Sequence, residues 1–125
     1  MASALENPLS GWRLLLVEDD PLVAMELDEF IRALGAEVVG PFSRVAPALA
    51  AIAKQAVSGA VLDVRLDGET TFPIIDILID RADPILLVTG AAATLPDRYR
   101  QVPRLQKPFE RYDFAHAATA AFRGP

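Results

Sequence analysis

The chain has no cysteine among its 125 residues. Disulfides and cysteine-based zinc sites are therefore excluded. It has one histidine, His116. That leaves too little for a histidine metal site or a Ser-His-Asp triad. No apolar run approaches the roughly 18 to 20 residues that span a bilayer. Met1 to Gly11 is mixed and polar and lacks the apolar core of a signal peptide. Basic residues are in deficit, with 12 Lys and Arg against 17 Asp and Glu, a net charge of −5. Phosphate backbones attract basic surfaces, so nucleic acid is not the expected partner. These absences leave a soluble cytoplasmic domain with no membrane association.

What is present is ample for a core: 52% of the residues are hydrophobic. Short apolar runs alternate with helical periodicity. Arg13 to Val17 reads as a strand buried on both faces. Asp20 and Pro21 read as the N-cap and first position of a helix carrying Val23, Leu27, Phe30, Ile31 and Leu34, with Gly35 as its stop. Glu37 to Gly40 is a second strand, and Ser43 is placed to cap a second helix. Ala60 to Asp63 is a third strand, followed by a helix marked by Phe72, Ile75, Leu78 and Ile79. Ile85 to Val88 is a fourth strand and Pro103 to Gln106 a fifth. Between these two, Pro96 and small residues predict a short or irregular fourth helix. Phe109, Phe114, Ala117, Ala118 and Ala121 line the last helix. Strands alternating with helices predict an α/β, doubly wound, five-stranded parallel sheet of order 2-1-3-4-5. Residues 1–11 are expected to be a loosely ordered lead-in and residues 12–125 one domain.

In such a fold ligands sit beyond the carboxyl ends of the strands. The first strand ends in Glu18-Asp19-Asp20, the third in Asp63, the fourth in Thr89 and the fifth in Gln106-Lys107-Pro108. The strand order brings these ends into one crevice. Converging carboxylates repel and call for a cation, and a hard oxygen donor set suits Mg²⁺. Asp20 is equally readable as a helix cap alone. A carboxylate such as Asp63 can attack a phosphoryl group to give an acyl phosphate, with Mg²⁺, the Lys107 ammonium and the Thr89 hydroxyl covering its oxygens. A cis Lys107–Pro108 bond is expected, since it would aim the lysine inward.

The segments Leu-Leu-Leu-Val-Glu18-Asp19-Asp20, Val-Leu-Asp63-Val-Arg-Leu, Val-Thr89-Gly and Gln-Lys107-Pro108-Phe109 together resemble the response-regulator receiver family, with its CheY-like fold, across residues 13 to 122. Residues 66–73 and the run from Leu95 to Phe109 are similar to stand-alone alphaproteobacterial receivers. The resemblance implies that a histidine kinase or histidine phosphotransfer protein phosphorylates Asp63. It implies Asp19 as a direct Mg²⁺ ligand beside Asp63, Glu18 acting through metal-bound water, and the backbone carbonyl of Arg65 as a further ligand. Thr89 and Lys107 would contact the phosphoryl group. Such a protein catalyses only its own phosphorylation and dephosphorylation, and its output is a downstream protein target. One position departs from the pattern: Arg104 stands where many receivers carry an aromatic residue. Gly90 to Arg100 is therefore expected to be the mobile output element. A receiver excised from a hybrid histidine kinase fits the same residues. A haloacid-dehalogenase-like phosphatase also uses an Asp nucleophile, but wants a second Asp where this chain has Arg65. A flavodoxin-like FMN site would be repelled by Glu18-Asp19-Asp20.

Overall fold

The structure is a computed structural model that describes residues 7–90 and 94–124. Its central sheet contains β1 (Arg13–Val17), β2 (Glu37–Phe42), β3 (Gly59–Asp63), β6 (Ile85–Thr89) and β7 (Arg104–Gln106). All pair in parallel, in the order β2-β1-β3-β6-β7. That is the predicted 2-1-3-4-5 arrangement, because β4 (Arg65–Leu66) and β5 (Glu69–Thr70) form a separate small hairpin. The helices are α1 (Pro21–Ala33), α2 (Val45–Lys54), α3 (Phe72–Asp80) and α4 (Arg111–Arg123).

Side chains alternate across the pleat, and here both faces are covered. Leu14, Leu16, Val61, Leu86 and Val88 face one core layer, which α1 closes with Leu27 and Ile31 and α4 with Phe114, Ala118 and Phe122. Leu15, Val17, Ala60, Leu62 and Leu87 face the other, closed by Ala48 and Ile52 of α2 and Ile74, Ile75 and Leu78 of α3. Burial on both sides explains why these strands read as unbroken apolar runs.

The helix ends follow local chemistry. Asp20 caps α1, its Oδ1 accepting from the amides of Leu22 at 3.0 Å and Val23 at 3.4 Å. Beyond the other end, Gly35 has φ +96°, and a Cβ there would lie 2.9 Å from the Asn7 Cβ. Residues 1–6 of the expected lead-in lie outside the described residues, but Asn7 to Gly11 packs against the domain. Leu9 is fully buried with the α1 and α4 core residues, and its amide donates to Leu34 O at 2.9 Å. One well-placed leucine anchors an otherwise polar segment.

Ser43 does not cap α2. The N-cap position is Arg44, without a side-chain bond of its own. The acceptor comes from β5, where Glu69 Oε2 accepts from the Val45 amide at 3.2 Å and lies 3.5 Å from Arg44 Nε. Glu69→Ala should lower stability by roughly 0.5 to 2 kcal/mol, as loss of a helix cap does. Urea denaturation with an unchanged slope would register it.

Between β6 and β7 the described residues form only a 3₁₀ turn, Asp97–Tyr99, in keeping with the irregular fourth helix expected. The second half of the segment expected to be mobile, Gly90 to Arg100, carries a buried anchor. Tyr99 is fully buried and its ring centroid lies 5.4 Å from that of Phe72. Its hydroxyl donates to Asp76 on α3 at 2.5 Å and accepts from Arg98 at 2.7 Å. Hydrogen bonds from Tyr99 and Arg98 hold the Asp76 carboxyl below its usual range, and burial pushes the Tyr99 hydroxyl up to about 12. Residues 91–93 of that element lie outside the described residues. Among the described residues Arg104 makes no ion pair; its Nη2 donates to Tyr99 O at 2.9 Å.

Candidate functional site

Three strand ends meet at one edge of the sheet. β1 runs into Glu18 and Asp19, β3 ends on Asp63, and β7 leads into Lys107. Leu62 pairs with Val17 and Asp63 with Val88, so the registers place Asp63 level with the end of β1. Glu18, Asp63 and Thr89 are buried, at 2%, 6% and 6% exposure, while Asp19 is partly exposed. One carboxylate oxygen from each of Glu18, Asp19 and Asp63 lies within 4.8 Å of the others.

Lys107 reaches into this acidic group. Its Nζ lies 2.8 Å from Glu18 Oε1 and 3.2 Å from Asp63 Oδ2. The Lys107–Pro108 peptide is cis, as expected. The Lys107 amide donates to Thr89 O at 2.7 Å, which fixes the lysine against the end of β6. Burial pushes the Glu18 carboxyl up to about 7 against the opposing pull of Lys107, and Asp63 adds to the rise. Burial lowers Lys107, but Glu18 and Asp63 outweigh it and hold the ammonium above its usual value.

The donor set fits a hard divalent cation. Three carboxylates face a single ammonium, so the ionised cluster carries two uncompensated negative charges. Glu18 Oε1 is wholly buried and has no aligned hydrogen-bond donor, because the ammonium approaches it outside hydrogen-bond geometry. Oxygen ligands of this kind, with room left for water, match Mg²⁺. Asp20, the fourth acid of the notional set, is occupied as the α1 cap and its own amide donates to Glu18 Oε2 at 3.1 Å. Arg65 opens β4, is exposed and pairs with Thr70 across the hairpin.

Two contacts were not anticipated from the sequence. The Asp67 amide, at the hairpin turn, donates to Asp19 Oδ2 at 2.7 Å. Thr71 is fully buried, and its hydroxyl donates to the backbone carbonyl of Asp63 at 2.7 Å, with Val64 O at 3.3 Å. The available signal was a threonine directly before Phe-Pro at a helix start, which reads only as a cap. It makes no such cap bond here. Beside Glu18 and Asp19 lies an open cavity of about 420 Å³ whose walls include Ala24, Met25 and Pro41. Leu22 and Met25 stand exposed on the same helix, at 70% and 63%. No helix among the described residues is long and apolar enough to cross a membrane.

No protein-family model and no curated protein matches the chain. Solved structures do. SdrG from Sphingomonas melonis Fr1 is 38% identical, over 88% of this chain and 95% of SdrG, with a TM-score of 0.79. The BeF3-activated conformation of SdrG, from Pseudomonas melonis Fr1, is 37% identical over 86% and 93%, at 0.73. The response regulator PhyR from Brucella abortus is 28% identical over 96% of this chain but 51% of PhyR, at 0.77. A CheY-like response regulator receiver domain protein from Methanospirillum hungatei JF-1 shares the fold at 17% identity, over 89% and 94%, with a TM-score of 0.74.

Proposed function

The chain belongs to the response-regulator receiver family, and from that premise we propose that it carries a transient phosphoryl group on Asp63, received from a histidine kinase or histidine phosphotransfer protein and dependent on Mg²⁺. The observation that carries this reading is the convergence of Asp63 with Glu18, Asp19 and Lys107 at one edge of the sheet. SdrG, similar over nearly its whole length, has been solved in a BeF3-activated conformation, which supports the same chemistry here.

Each residue has a part that follows from its surroundings. A carboxylate oxygen of Asp63 forms the bond to phosphorus while the bond from phosphorus to the donor breaks, its electron pair leaving with the donor. Transfer of this kind asks for positioning and charge neutralisation more than for proton movement. Lys107, already 3.2 Å from Asp63, would turn its ammonium to a phosphoryl oxygen. Thr89, buried beside it on β6, would offer its hydroxyl to another. Glu18, Asp19 and Asp63, with the Arg65 carbonyl, would hold Mg²⁺, which supplies positive charge to the incoming anion. Met25, exposed beside Glu18 and Asp19, would give a donor protein an apolar footing.

A dehalogenase-like phosphatase is less well supported, because the position that reading reserves for a second acid is an exposed arginine, Arg65.

Acetyl phosphate tests the proposal. With Mg²⁺ present, the chain should gain the mass of one phosphoryl group in an alkali-labile linkage. Excess EDTA should suppress the gain. Equal labelling with and without EDTA would refute metal dependence, and a label stable to alkali would refute an acyl phosphate.

A further inference from the structure

The loop between the reactive strand and α3 is organised around one buried hydroxyl. β1 pairs with β3 only as far as Val17 opposite Leu62, so Asp63 stands one residue past the end of that ladder. Its carbonyl is taken up instead by Thr71, at 2.7 Å. The Thr71 amide donates to Val64 O at 3.0 Å, and Thr71 O accepts from the amides of Ile74 and Ile75 in the first turn of α3. Between these bonds the chain makes the β4–β5 hairpin, whose turn amide at Asp67 is held by Asp19. Thr71 thus joins the peptide of Asp63 to the start of a helix whose Ile74, Ile75 and Leu78 are fully buried.

We propose that Thr71 is a positioning residue for the phosphoacceptor: its hydroxyl fixes the Asp63 peptide, and so the angle at which the Asp63 carboxylate meets an incoming phosphoryl group. The inference rests on the receiver reading given above. In-line transfer is sensitive to alignment, and a displacement of about 1 Å can cost as much as 10²-fold in rate. Valine is close to threonine in size and shape but cannot donate. Serine keeps the hydroxyl and loses only a methyl group. The hydroxyl, not the bulk, is therefore separable.

The test is the rate of labelling by acetyl phosphate at saturating Mg²⁺, well below the melting temperature. Thr71→Val should label about tenfold more slowly or worse, on the scale set by misalignment, while Thr71→Ser stays close to the unmodified protein. Ile75→Val serves as a control that weakens the same helix packing without touching Asp63, and it should label at the original rate. Thr71→Val labelling at the original rate overturns the proposal. So does a Thr71→Ser variant as slow as Thr71→Val, or an equal slowing in Ile75→Val, since either would mean that packing alone matters. Should Thr71→Val fail to fold, Thr71→Ala, which also lacks the hydroxyl, takes its place: slower labelling than Thr71→Ser supports the proposal and equal labelling overturns it. An absence of label on the unmodified chain overturns the receiver reading itself, and this inference with it.

Discussion

Asp63→Asn should abolish labelling by acetyl phosphate while leaving the fold intact. Asparagine matches the shape of the carboxylate, but its amide nitrogen and carbonyl are poor nucleophiles toward phosphorus. The other acids do not replace it. Glu18 is buried against Lys107, Asp19 accepts from the Asp67 amide, and Asp20 is the α1 cap. The fold should survive because the substitution removes the repulsion that helps raise the Glu18 carboxyl, and the Lys107 ammonium, which loses one carboxylate, keeps Glu18 at 2.8 Å. A label reduced by at least about 10²-fold, with an unchanged circular dichroism spectrum and equal or higher thermal stability, is the expected result. Labelling at the original level would identify a different acceptor.

Phe114→Ala should be the most damaging single truncation for stability. The ring is fully buried in the layer under α4, 6.0 Å from the ring centroid of Phe30 and 6.2 Å from that of Phe109. It is where α4 meets α1 and β6, together with Leu27, Ile31 and Val88. Removing it loses the transfer free energy of the ring and leaves a cavity, together about 3 to 5 kcal/mol. A domain of this size has on the order of 5 to 15 kcal/mol in all. The melting temperature should fall by about 10 °C or more. A fall of only a few degrees would mean that the layer closes over the gap.

Much of the fold was legible because both faces of the sheet are buried. Leu14 to Val17, Ala60 to Leu62 and Ile85 to Val88 are continuous apolar runs, and each stops at a polar residue at the carboxyl end of its strand. Those stops line the candidate site, so Glu18, Asp19, Asp63, Thr89 and Lys107 could be singled out by asking where the strands end. What escaped depends on contacts between distant residues. Tyr99 sits between Arg98 and Arg100 and reads as surface, yet Phe72 and Asp76 give it a buried place. Leu9 is one apolar residue in a polar stretch and has no period to reveal it. The β4 and β5 strands are two residues each, too short for alternation to show. Thr71 looks like a cap because its neighbours do, while its hydroxyl points back to Asp63.

The capping of α2 by Glu69 means that this helix is not a self-sufficient unit. Its first turn is completed by a residue 24 positions further along the chain, from a hairpin that is also held by Asp19. A cut in the chain between residues 54 and 65 would leave α2 with an open end, however strong its own propensity. The Val45 amide is freed only when Glu69 lets it go, so its exchange with solvent reports the movement of β5 as well as the fraying of α2. A single small hairpin thereby ties Asp19, at the end of β1, to the start of α2.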